Sequence, residues 1–297
     1  MTMRSVGDGK AEFYELLPGR EHVTVIEPRA NPFRLDLREL WNYRDLVLLL
    51  VRRDFVAQYK QTILGPAWHI IQPLLTTLMF TIVFGKIARL PTDGLPPFLF
   101  YMAGTVIWTY FANVFTATTG TFAHNAHIFG KVYFPRLVMP LATLVSRLIA
   151  FAIQFAVFLG ILAYFAVTDA AVQPNLWVLL TPVLLMMMAA IGLGGGLIVA
   201  ALTTRYRDLV VLVSFGVQLL MFATPIIYPL SSLPARWQFW ASLNPIAPVV
   251  EAFRYAYLGQ GTLSVGMLLL SALVVVLILS AGVVLFNTAE RTFVDTV

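Results

Sequence analysis

No cysteine occurs anywhere in the sequence. Disulfides, iron–sulfur clusters and thiolate zinc sites are therefore excluded. Charge is scarce as well. Asp, Glu, Lys and Arg make up 12% of the 297 residues, about half the share of an ordinary soluble domain. A water-soluble surface of this size would need far more. Histidine is limited to four residues, and no Gly-x-x-x-x-Gly-Lys-Ser/Thr phosphate loop is present. Nucleotide hydrolysis through such a loop is thus not expected of this chain. The first thirty residues lack an apolar core segment, so no cleaved signal peptide is expected either.

What is present is mostly apolar. Hydrophobic residues make up 59% of the chain, and mean hydropathy is +0.80. The charge that exists is lopsided: nine of fifteen acidic and ten of twenty basic residues precede Gln61. Such a pattern belongs to a polytopic membrane protein with a polar N-terminal region. The net charge of +5 is better placed beside anionic headgroups than on nucleic acid. Membrane lipids are the expected surroundings, and no nucleic-acid partner is expected.

A membrane span needs about 20 apolar residues. Six stretches qualify: Trp68–Ile87, Phe98–Phe122, Leu137–Val167, Leu176–Leu202, Leu209–Leu230 and Leu263–Phe286. Basic residues between them are unevenly placed. Ten lie in the N-terminal region, and Lys131, Arg136, Arg205, Arg207 and Arg291 fall on that same side of the six-span topology. The other side holds Lys86, Arg89, Arg236 and Arg254. The bias puts both termini in the cytoplasm. The expected fold class is an all-α polytopic membrane protein with six transmembrane helices, an N-terminal amphipathic interface helix and a re-entrant helical pair before the last span. Its expected divisions are a polar cytoplasmic extension over 1–35, an interface helix and turn over 36–66, a six-span domain over 67–290, and a cytoplasmic tail over 291–297.

The interface helix is read from "LWNYRDLVLLLVRRDFVAQYK". Leu40, Tyr43, Val47, Leu50 and Val51 recur at helical spacing, while Arg44, Asp45, Arg52 and Arg53 gather on another face. That pattern suits a helix lying along the membrane surface. Gly65-Pro66 then lets the chain turn into the first span. As a function, this helix is either a plain juxtamembrane anchor or a cuff that couples the membrane part to a cytoplasmic partner. Before the last span, prolines at 234, 245 and 248 break a mixed segment near 231–260 into two short pieces, Ala235–Leu243 and Pro248–Tyr257. Each is half a membrane long, which fits a re-entrant pair on the outer side. Glu251 and Arg254 stand at i,i+3 and are expected to pair, either within a pathway or as a salt bridge that holds the hairpin. Arg147 is the other deep charge.

The "GLGGG" run at Gly192–Gly196 lies inside a span and lacks the following Lys-Ser/Thr, so close helix packing is the expectation, not phosphate binding. His124 and His127 are i,i+3 on a link with no carboxylate, a poor metal pair. That link, "AHNAHIFGKVYFPRL", reads as a short helix followed by Gly130 and Pro135: either an ordinary connector or an element that presses into a groove on a cytoplasmic protein.

The segments "RRDFVAQYKQTILGPAWHIIQPL", "HIFGKVYFPRLVMPL", "TTRYRDL", "PIIYPLSSLP" and "LNPIAPVVEAFRYAYLG" keep an order that resembles the membrane subunit of a type-2 ABC exporter, in the branch that exports O-antigen, capsule or teichoic acid. The resemblance covers roughly Leu40 to Leu285. It implies a bacterial inner-membrane permease that is not itself an enzyme. Such a subunit pairs with a second copy of itself and with two ATP-binding cassette subunits, which bind ATP and magnesium. This chain would hold no cofactor and no metal. The cargo implied is a lipid-linked glycan.

Carried onto this sequence, the resemblance places a coupling helix near 123–135. ATPase-coupling positions are then Arg52, Arg53, His124, His127, Phe129, Lys131, Arg205 and Asp208. The residues expected along the translocation path or gate are Tyr59, Trp68, Trp108, Arg147, Tyr228, Trp237, Trp240, Glu251, Arg254 and Tyr255. Three other readings compete. One is export of a drug or small lipid by a related subunit. Another is a membrane-bound glycan-processing enzyme, which would need acidic or histidine residues clustered on outer loops, whereas Asp93, Asp169 and Glu251 are scattered. The last is a scaffold that anchors a cytoplasmic complex.

Overall fold

A computed structural model describes residues 37–60, 62–122, 125, 134–169, 171–203, 206 and 208–294. The expected extension over 1–35, most of the proposed coupling link and residues 295–297 lie outside this set. Among the described residues the chain is all-helical, with no strand.

The helices run in order as α1 (Leu37–Asn42), α2 (Arg44–Tyr59), α3 (Trp68–Phe80), α4 (Pro97–Thr119), α5 (Val138–Thr168), α6 (Thr181–Thr203), α7 (Leu209–Ala223), α8 (Ala235–Leu243), α9 (Ile246–Leu258) and α10 (Val265–Val294). Short 3₁₀ turns at Gly65–Ala67 and Leu176–Leu180 lead into α3 and α6. Five stretches are long and apolar enough to cross a membrane: Gly65–Ile87, Pro97–Thr119, Val138–Thr168, Leu176–Thr203 and Val265–Ala289.

Two features depart from the pattern read in the sequence. The first span does not stay α-helical. Beyond Phe80 it widens into π-helical turns over Thr81–Ile87, with Ala88 N–H donating to the Val83 carbonyl at 2.8 Å. The fifth stretch, expected to run to Leu230, is helical only over Leu209–Ala223. Its 15 residues span about 22 Å, short of a bilayer core of about 30 Å. The cause is Pro225. A proline disfavours the helical region for the residue before it, and Thr224 is accordingly extended at φ −98, ψ 142. Hydropathy did not reveal the stop, because Ile226, Ile227 and Leu230 prolong the apolar run.

The core forms around α4. Most of α4 is buried, including Phe100, Tyr101, Ile107 and Phe111, and it packs on α3, α5, α6 and α9. Helix α6 fits between α4 and α10 through its glycines. A Cβ at Gly192 or Gly196 would crowd Val114 and Thr118 of α4, and one at Gly194 would meet the α10 backbone at Leu279. From the other side, a Cβ at Gly282 would run into the backbone of Gly194. Small residues thus let backbones approach directly, as the glycine run led us to expect. A second cluster joins α2 to α5: Leu50 and Val51 bury against Phe134, Val138, Met139 and Ala142, flanked by Leu40, Tyr43 and Val47. The apolar stripe read from the sequence is therefore the one that meets protein. Trp41, Leu48, Leu49 and Val56 of the same segment remain exposed.

Candidate functional site

Two arginine-centred clusters stand apart in the bundle. One lies where α7 ends and α9 packs on α4. Because the helix stops before Pro225, the carbonyls that follow lie outside any helical ladder and need other donors. Arg254 fills the vacancy: its Nη1 donates to the Pro225 carbonyl at 2.6 Å, and its Nη2 to the Ile226 carbonyl at 2.5 Å. The guanidinium also lies 3.8 Å from the centroid of the Phe100 ring, a cation–π contact. Nη1 sits 3.4 Å from Glu251 Oε1. Both side chains are buried, at 2% and 3% exposure, so each charge depends on its neighbours for solvation. Glu251 in turn accepts the Leu230 N–H at 3.4 Å. The pair therefore ties α9 to the end of α7, to the following turn and to α4.

Supporting bonds hold α9 at both ends. Asn244 Oδ1 accepts from Ile246 N–H at 3.1 Å while its Nδ2 donates to Thr224 Oγ1 at 2.8 Å. At the far end, Gln173 and Asn175 N–H groups donate to the Leu258 and Ala256 carbonyls, and Asn175 Nδ2 donates to the Tyr255 carbonyl at 2.8 Å. These satisfy helix-end acceptors that would otherwise lack partners. Gly259 ends the helix at φ 77, and a Cβ there would strike Gln173, so only glycine fits. Thr181 Oγ1 and the Tyr257 hydroxyl are 2.7 Å apart. In the turn that follows α7, Ser231 Oγ donates to Asp93 Oδ1 at 2.7 Å.

The other cluster lies where α2, α3 and α5 meet. The Tyr59 hydroxyl is hydrogen-bonded to His69 Nε2, and its ring stands edge-on to Phe55 with centroids 4.6 Å apart. Burial pushes the Tyr59 phenol above its ordinary range, while the Arg147 guanidinium pulls the other way. Arg147 itself forms no ion pair among the described residues, and its Nε is buried without a hydrogen-bond partner.

The residues singled out from the sequence are thus scattered. Glu251 and Arg254 come together; Tyr59 and Arg147 come together with His69, which was not among them. Trp108 sits in the core against Phe111 at 5.1 Å, so in this subunit it packs and lines no opening. Tyr228 is half-buried and donates to the Phe222 carbonyl at 3.3 Å; Tyr255 is half-buried on α9. Trp68, Trp237 and Trp240 are exposed at 49%, 52% and 63%. Arg52 and Arg53 are exposed on α2, and Arg53 pairs with its neighbour Asp54 at 2.8 Å. Asp208 is exposed, and its carbonyl accepts the N–H groups of Val211 and Leu212 at the start of α7. His124, His127, Phe129, Lys131 and Arg205 lie outside the described residues. Sequence reasoning missed Phe100 and the Pro225 and Ile226 carbonyls. Pro225 was the available signal, since a proline late in an apolar helix frees acceptors for a donor elsewhere.

Residues 45–258 match the sequence pattern of the ABC-2 type transporter family. The chain belongs to that family. An O-antigen export system permease protein RfbA of Klebsiella pneumoniae is 26% identical over 252 residues, covering 84% of this chain and 94% of the relative. Its namesake in Myxococcus xanthus is 27% identical over 265 residues, covering 88% and 98%. The polysialic acid transport protein KpsM of Escherichia coli is 27% identical over 261 residues, covering 83% and 94%. Membership makes the chain a multi-pass inner-membrane transport subunit and implies an ATP-binding partner subunit.

Proposed function

We propose that this chain is the transmembrane subunit of an ATP-driven exporter that moves a lipid-linked polysaccharide across the inner membrane. The observation that carries this reading is the near end-to-end match to permeases named for O-antigen export and polysialic acid transport, 94–98% of whose length is covered. In this reading α7 and the extended stretch after it form the sixth crossing, and both termini face the cytoplasm. Two copies assemble with two ATPase subunits, which bind ATP and its magnesium ion. The cargo path runs between the copies.

Surface character supports the assembly. Helix α7 has no buried residue, and Val211, Leu212, Phe215, Leu219 and Phe222 are exposed along it. Helix α3 is likewise open, with Leu75, Leu78 and Met79 exposed. Helices α8 and α9 act as an outer re-entrant pair, and the exposed Trp237 and Trp240 offer apolar faces to sugar rings. Glu251 and Arg254 set the angle of that pair and do not wall the path. Arg52, Arg53 and Asp208, with the link bearing His124, His127, Phe129 and Lys131 and the turn bearing Arg205, transmit motion of the ATPase.

Deleting the gene in its native host tests this. Surface polysaccharide, measured by immunoblot of intact cells, is expected to vanish while polymer accumulates inside, and plasmid-borne chain to restore it. Unchanged surface polysaccharide in the deletion strain would sink the reading.

A further inference from the structure

We propose that Asp93 is a positioning residue: through Ser231 it fixes where α8 and its aromatic side chains stand. The sequence around it encodes a rigid mount. In Thr92-Asp93-Gly94-Leu95 both central residues have positive φ, 50 and 77, and the Leu95 N–H donates to the Thr92 carbonyl at 3.0 Å. That is the pattern of a type I′ turn, for which Asp-Gly is a favoured pair. Thr92 Oγ1 donates to the Leu95 carbonyl at 2.7 Å, closing the turn a second time. Leu95 is 3% exposed and belongs to the main apolar core. The tip that carries Asp93 therefore stands on packed protein.

Helix α8 has the opposite character. Of its nine residues only Ser242 is buried. Gln238 Nε2 donates to the Leu233 carbonyl at 2.7 Å and Ser232 Oγ to the Pro229 carbonyl at 2.8 Å, so the turn leading into α8 is braced largely against itself. Among the described residues, the segment 229–243 is hydrogen-bonded to other elements at two points. One is the Leu230 N–H on Glu251 of α9, long at 3.4 Å; the other is Ser231 Oγ on Asp93 Oδ1, at 2.7 Å. The short bond ties the loose element to the rigid one, and a carboxylate is the stronger kind of acceptor. It joins positions 138 residues apart. Because it is exposed, it is worth about a fivefold shift in a local equilibrium. That is enough to hold a short helix in place and too little to hold the fold. Trp237 and Trp240 are exposed on α8 just beyond this turn. The role rests on the transport reading above in one respect: those indoles are where sugar rings are met, and Asp93 sets where they stand.

The full chain in phosphatidylcholine nanodiscs tests this. It has no cysteine, so a nitroxide on Ala235→Cys, an exposed position at the start of α8, is the sole label. Asp93→Ala is expected to raise the ratio of mobile to immobile spectral components about fivefold. Asp93→Asn keeps an oxygen acceptor and is expected to stay near the parent. Ser231→Ala should reproduce Asp93→Ala, and the double variant should add nothing to either, as for two ends of one bond. Thermal midpoints should stay with the parent's throughout. Unchanged spectra in both alanine variants, effects that multiply in the double variant, or a midpoint that falls as mobility rises would each overturn the role. In the deletion strain, Asp93→Ala is expected to slow the appearance of surface polysaccharide about fivefold, and Asp93→Asn to restore it. Full export by a chain whose α8 is loosened would overturn positioning as a part of transport. Surface polysaccharide that survives gene deletion would fell the transport reading and leave the tether, read by the label, standing.

Discussion

Arg254 and Arg147 are both drawn into the helical bundle, yet their surroundings differ in kind. The α9 cluster is densely answered: Arg254 meets a carboxylate, two carbonyls and a ring, all supplied by this chain, with its Nε left unpartnered. The α2–α3–α5 cluster is open, with one hydrogen bond between Tyr59 and His69 and a guanidinium that lacks an acid among the described residues. The contrast teaches where the bundle is cross-linked. A buried charge answered on several sides ties together the helices around it, whereas the half-buried Arg147 ties none by an ion pair among the described residues.

Breaking the α9 cluster should produce the largest effect. Arg254→Met leaves Glu251 buried beside empty carbonyls and is expected to cost about 3–5 kcal/mol. The measurement is thermal unfolding in detergent, followed by tryptophan fluorescence or size-exclusion loss. The double variant Glu251→Gln/Arg254→Met should be less destabilised than the single one, because no uncompensated charge remains. Next in size, Gly194→Val should cost about 1–3 kcal/mol by forcing α6 from α10, read in the same assay. Tyr257→Phe removes only the bond to Thr181 and should cost about 1 kcal/mol. Arg147→Gln breaks no ion pair seen among the described residues, and its midpoint should stay within about 0.5 kcal/mol of the parent's stability. A loss comparable to that of Arg254→Met would erase the distinction between the clusters. A similarly small change is expected from Arg53→Ala, whose exposed, solvent-screened pair with Asp54 is worth at most a few tenths of a kcal/mol, about 0–0.5.

Much of this architecture is legible in the sequence. Long apolar runs mark α4, α5, α6 and α10 to within a few residues, because a bilayer demands length and hydropathy together. Prolines divide α8 from α9. The i,i+3 spacing of Glu251 and Arg254 correctly implies their contact. What escaped was long-range. Nothing near Arg254 points to carbonyls 28 and 29 residues upstream. The end of α7 was hidden because hydropathy carries on where the backbone cannot. Trp108 was expected along a path, since an aromatic residue on an apolar helix carries no mark of which side faces its neighbours. His69 was not singled out; its bond to Tyr59 depends on the turn at Gly65-Pro66 bringing α3 back beside α2.

Gly194 and Gly282 meet main chain to main chain, leaving no compressible volume between α6 and α10. Two cylinders locked that way have no rotamers with which to slip past each other, and so must travel as one piece. Whatever rearrangement accompanies a work cycle is displaced onto softer seams, foremost the margins of α7, which buries no residue and leans on the core only through partly buried side chains such as Val217, Leu220 and Met221.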